Sequence, residues 1–139
     1  MNKSKIIFSF LGVIMLAALI SGLTIYYKFS SDGQKDEDIN VTVIINYGTL
    51  LIENEESHNV TTKNGTSALE VFLQVAELEL TNYSLGVYIR GVNGYSEQLP
   101  DYWAFYYYDY ESLAWVYSEV GVNNFYTEAE DKIKLQYTG

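Results

Sequence analysis

The chain has 139 residues, the length of one domain, and its 48% apolar content is too high for a disordered chain. It carries no cysteine and one histidine, His58, which excludes disulfide frameworks, zinc-thiolate sites, thiol nucleophiles and multi-histidine metal centres. The formal net charge is −10, and residues 30–139 hold all 18 acids against five bases, a balance that argues against nucleic acid as a partner.

In chain order, the first predicted element is the uncharged run IIFSFLGVIMLAALISGLTIYY, Ile6 to Tyr27. As a helix it would be about 33 Å long, enough to cross a bilayer. Lys3, Lys5 and Lys28 flank it, and acids dominate beyond Lys28, so the positive-inside rule predicts a single-pass cell-membrane anchor with the C-terminal domain extracellular. A cleaved signal peptide is the competing reading, although the run is longer than a signal core. The expected layout is an anchor or uncleaved signal at 1–28, a polar linker at 29–39 and an extracellular domain at 40–139. Four N-x-[ST] sequons, at Asn40, Asn59, Asn64 and Asn82, fit a glycosylated cell-surface protein.

INVTVIINYG alternates apolar and polar residues as a strand ended by Gly48, and SHNVTTKNG makes a weaker strand ended by the Asn64-Gly65 turn. His58 sits at the start of the second strand. TSALEVFLQVAELEL, Thr66 to Leu80, has Ala68, Leu69, Phe72, Val75, Ala76 and Leu80 at helical spacing, with Thr66 as the predicted cap. Val87 and Ile89 alternate with Tyr88 and Arg90 ahead of the hairpin signal Asn93-Gly94. DKIKLQY predicts a last strand with one wet face.

DYWAFYYYDYESLAWVYSEV, Asp101 to Val120, holds both tryptophans and six of the 14 tyrosines. It predicts two aromatic strands around a short turn. Trp103, Phe105 and Tyr107 share one face, while Tyr106 and Tyr108 share the other. One face can fill a core, and the other then offers rigid aromatic contact area to a ligand. The whole pattern, two strands, a helix and four strands, predicts an α+β domain with one helix on a mostly antiparallel sheet.

The order of these segments resembles the transcobalamin-like C-terminal domain family, the small domain of vitamin B12 carriers. VTVIINYG resembles the family's opening strand, and NGTSALEVFLQVA its helix start. GVYIRGVNG is similar to its Gly-aromatic-Val segment, YWAFYYYDYES to its aromatic hairpin, and VGVNNFYTEAEDKIKLQY to its closing loop and strand. The likeness spans about Val41 to Tyr137. Two departures stand out: Tyr110-Glu111-Ser112 lengthens the hairpin turn, and Ala129-Glu130 replaces an Asp-Gly before the last strand.

The resemblance implies a β-grasp-like two-layer fold and a ligand face. No cofactor follows from the residues, but cobalamin is the ligand that the resemblance names. In B12 carriers this domain works with a large helical domain that the present sequence lacks, and the expected role here is therefore with a partner subunit, such as a transporter or another surface protein. The candidate ligand-binding residues are Trp103, Tyr106, Trp115, Tyr117, Val120 and Gly121, within a surface that runs on to Asn124. A structural or adhesive surface domain that contacts other proteins is the alternative. No catalytic residues are assigned: His58 has no evident nucleophile partner, and Glu53, Glu55 and Glu56 read as a solvated loop rather than a converging pair.

Overall fold

A computed structural model describes residues 36–139, and the predicted membrane anchor lies outside the described residues. Among the described residues no helix is long and apolar enough to cross a membrane. The elements are β1 (Asp38–Asn46), β2 (Glu55–Lys63), α1 (Ala68–Leu73), β3 (Leu78–Tyr83), β4 (Gly86–Val92), β5 (Tyr95–Ser96), β6 (Trp103–Asp109), β7 (Ala114–Tyr117) and β8 (Lys132–Tyr137). They form a five-stranded sheet in the order β2-β1-β8-β6-β7 and a three-stranded sheet in the order β3-β4-β5. Within the larger sheet β1 and β8 run parallel, with Val43 opposite Ile133 and Ile45 opposite Leu135. Its other pairings are antiparallel.

The period-two pattern of β1 sets its burial. Ile39, Val41, Val43 and Ile45 point into the core, and Asn40, Thr42, Ile44 and Asn46 point out. β8 repeats the pattern with Ile133, Leu135 and Tyr137 inside, and β6 adds Trp103 and Phe105. The small sheet contributes Ile89 and Val92, and α1 contributes Ala68, Val71 and Phe72. Each such aliphatic side chain stabilises the fold by about 1.5–3 kcal/mol when taken out of water.

The expected α+β, β-grasp-like layout is overturned: the described domain is mostly β, with two sheets and one short helix. The predicted helix from Thr66 to Leu80 shrinks to the six residues Ala68–Leu73. Beyond Gln74 the chain enters β3, where Leu78 pairs with Val92 and Leu80 with Ile89. Leu78 and Leu80 flank Glu79 with a period of two, and pairing with β4 outweighs the weaker helical repeat. The cap also moves by one residue. Ser67 Oγ accepts from Glu70 N at 3.3 Å, whereas Thr66 Oγ1 donates to Lys63 O at 2.7 Å.

The Asn93-Gly94 hairpin forms as predicted, with both residues at positive φ. The aromatic hairpin forms too, with Tyr106 opposite Tyr117 and Tyr108 opposite Trp115.

Candidate functional site

A cleft of about 390 Å³ opens between the β3–β4 hairpin and the segment that follows β7. Such a volume suits a small ligand. Trp103 and Phe105 of β6 and Leu135 of β8 line it, with Val87 and Ile89 of β4 on one side and Tyr117 to Val122 on the other. At its rim Leu85 is 87% exposed, Tyr83 63% and Val120 46%.

Rigid supports fix these walls. The Trp103 indole N–H donates to Tyr95 O at 2.8 Å, and its ring meets Tyr47 and Tyr137 edge-on at 5.7 and 5.4 Å. Phe105 packs edge-on against Phe72 at 5.8 Å and Phe125 at 5.3 Å. Ser118 donates its backbone N–H to Phe105 O, and its hydroxyl bonds both the N–H and the carbonyl of Val120, holding the turn in place.

The outer wall is tied down at two points. Asn123 Oδ1 accepts from Val87 N at 2.7 Å, beside the close approach of Gly86 and Gly121. On the other side the segment docks on the start of α1. Leu69 N donates to Val122 O at 3.0 Å, Ala68 N to Phe125 O at 2.8 Å and Gly65 N to Thr127 O at 2.8 Å. The first two satisfy amides that the helix itself leaves free, and the third ties the turn before it.

The polar groups near the cleft are few. Tyr88 donates its hydroxyl to Glu97 Oε2 at 2.7 Å, and Arg90 Nε holds the other carboxylate oxygen at 2.9 Å. Burial first, and the hydrogen bond to Glu97 next, push the Tyr88 hydroxyl well above the ordinary phenol range. Burial likewise raises Tyr117, with Tyr102 and Tyr106 adding to the effect. Among the described residues no group of histidine, aspartate and glutamate side chains is placed to hold a metal. His58 pairs with Val43 on β2 and sits 3.3 Å from Glu56. The arrangement can hold a small apolar molecule between Val87 and Val120, with Glu119 among its polar groups.

The six predicted binding residues divide between two surfaces. Trp103, Tyr117, Val120 and Gly121 line the cleft. Tyr106 and Trp115 point from the opposite face of the large sheet, where Tyr117 meets Tyr106 edge-on at 5.7 Å. Of the sequon residues, Asn40, Asn59 and Asn82 are exposed on strands and Asn64 is half-buried. Sequence reasoning missed Tyr83, Leu85 and Gly86, whereas Asn123 falls within the surface it predicted. The Asn123-Asn124 pair is the one local signal, because such residues commonly bond to backbone.

Several solved structures share this fold, including the following two. The crystal structure of haptocorrin in complex with Cbi matches with a TM-score of 0.60 and 16% identity over 74% of this chain. The match spans 25% of the haptocorrin chain, so the present chain corresponds to about a quarter of it. A candidate metal-binding protein from Ruminococcus gnavus ATCC 29149 matches with a TM-score of 0.53 and 14% identity, covering 72% of this chain and 96% of that one. No family model matches the chain, and no curated protein does. The likeness defines a transcobalamin-like fold.

Proposed function

We propose that the domain is a small-molecule binding module, with the cleft as its site and a corrinoid as its ligand. The cleft carries this reading: aromatic walls held rigid by hydrogen bonds, with a mouth ringed by exposed apolar side chains. Pre-formed, largely apolar concavities of this size are what small ligands occupy. Haptocorrin, seen with Cbi, shares the fold and supports the ligand class. Trp103, Tyr117, Val120 and Gly121 make the contacts, and a partner subunit covers Leu85, Tyr83 and Val120. The role is binding rather than turnover.

The test is tryptophan quenching and thermal shift of the full chain with cobinamide, cobalamin and haem. Quenching that survives Trp115→Phe but disappears in Trp103→Phe, with a raised melting temperature, is the expected result. Unchanged fluorescence and melting at high micromolar ligand overturns the reading. Concentration-dependent self-association in that case favours the adhesive alternative.

A further inference from the structure

The outer face of the five-stranded sheet has a character of its own. Along one row Lys134 stands opposite Tyr106, and Tyr106 opposite Tyr117. The neighbouring row brings together Lys132, Tyr108 and Trp115. Lys134 Nζ lies 4.4 Å from the Trp115 ring centre and 5.2 Å from that of Tyr106. Lys132 Nζ lies 5.3 Å from the Tyr108 ring and 5.8 Å from the Tyr110 ring. Rings and ammonium groups thus form one braced array.

The placement of these two cations is unusual for so acidic a chain. Lys63 pairs with Asp38 and Arg90 with Glu97. Among the described residues neither Lys132 nor Lys134 meets a carboxylate at ion-pair distance. Glu55 acts on Lys134 only through its field, and its carboxylate accepts from Asn46 Nδ2 at 3.0 Å. Burial costs the Lys134 ammonium part of its hydration, which an arriving anion would replace.

We propose that this face binds an acidic oligosaccharide, with uronate carboxylates on Lys132 and Lys134 and pyranose C–H faces against Tyr106, Tyr108, Trp115 and Tyr117. The charge of the array is complementary to such a chain and opposite to that of the rest of the domain. Backbone groups of β8 and β6 are already used in the ladder, so an added peptide strand could pair only along the outer edge of β7 and would not cover the two lysines. A saccharide needs only ring faces and cations. Tyr117 borders both this face and the cleft, but Lys132, Lys134, Tyr106, Tyr108 and Trp115 lie outside the cleft, so the site does not depend on the function proposed there.

Calorimetry of the full chain with a galacturonate tetramer, against a neutral glucose tetramer, tests the idea. The acidic tetramer is expected to bind and the neutral one to bind at least about tenfold more weakly, a gap of about 1.4 kcal/mol. Affinity should fall as salt rises from ~20 to ~200 mM, since screening acts on exposed charges. Lys132→Gln with Lys134→Gln, and separately Trp115→Ala, should each weaken binding about tenfold. Arginine at both lysine positions should restore it. The cobinamide response should stay the same in all of these variants. No heat from the acidic tetramer at millimolar concentration, or equal binding of the neutral one, overturns the proposal. Equal competition by poly-glutamate also overturns it, since charge alone would then suffice.

Discussion

Gly86 and Gly121 stand backbone to backbone beside the cleft. A Cβ on Gly86 would lie 3.1 Å from the Gly121 Cα, and its φ of +135° is open to glycine alone. Gly86→Ala should therefore cost about 2 kcal/mol in urea unfolding, through backbone strain and crowding, and weaken ligand binding. Gly94 makes the contrast: its φ is +85°, but a Cβ there meets nothing within 4 Å. Gly94→Ala should cost only about 1 kcal/mol and leave the cleft intact. Leu113 holds a φ of +55° while 71% exposed, so Leu113→Gly should leave stability unchanged or raise it by up to about 1 kcal/mol. The Gly94 turn was readable in the sequence because Asn93-Gly94 is a local signal. The demand on Gly86 was not, because Gly121, 35 positions away, creates it.

At the scale of elements, α1 does more than its six residues suggest. Its capping box joins Ser67 and Glu70, and its free amides hold the segment that walls the cleft. Ser67→Ala should lower unfolding stability by about 1 kcal/mol. It should also loosen the cleft wall, visible as faster hydrogen exchange at Leu69 and Ala68 than in the wild type. The start of this helix was legible to within one residue, the cap falling on Ser67 and not on the expected Thr66, and its end was not. The sequence from Thr66 to Leu80 satisfies a helical repeat, yet Glu79 is drawn over Gly91 to accept from Ser96 Oγ, which only the β3–β4–β5 sheet provides. The alternation of β1, β6 and β8 was readable because each strand buries one face. The direction of β8 beside β1 was not, since periodicity reports faces and not neighbours.

At the scale of the molecule, three tyrosine hydroxyls among the described residues link stability to alkaline pH. Burial raises Tyr47, Tyr88 and Tyr117 above the ordinary phenol value of 10.0. A raised folded-state value means that the neutral phenol is favoured by folding, and the unfolded chain loses its proton first. Their contribution is fully present below about pH 10 and is lost as pH rises through the raised values. Urea midpoints should hold steady from about pH 8 to 9.5 and fall above 10, and Tyr88→Phe should flatten part of that fall. The excess of acids works at the same scale. With 18 acids against five bases in residues 30–139, the uncompensated carboxylates repel one another, so moderate salt should raise the melting temperature.

The parallel pairing of β1 with β8 also decides how the domain answers to force. Tension applied at Asp38 and at Gly139 pulls two adjacent parallel strands in opposite directions along their common axis. The hydrogen bonds between Thr42–Asn46 and Lys132–Gln136 are then sheared together and cannot open one after another like a zipper. A domain strung between two such attachment points resists extension until that single seam gives way. In a pulling experiment it should yield in one abrupt step, at a higher force than when gripped across β6 and β7, whose antiparallel hairpin peels from its open end.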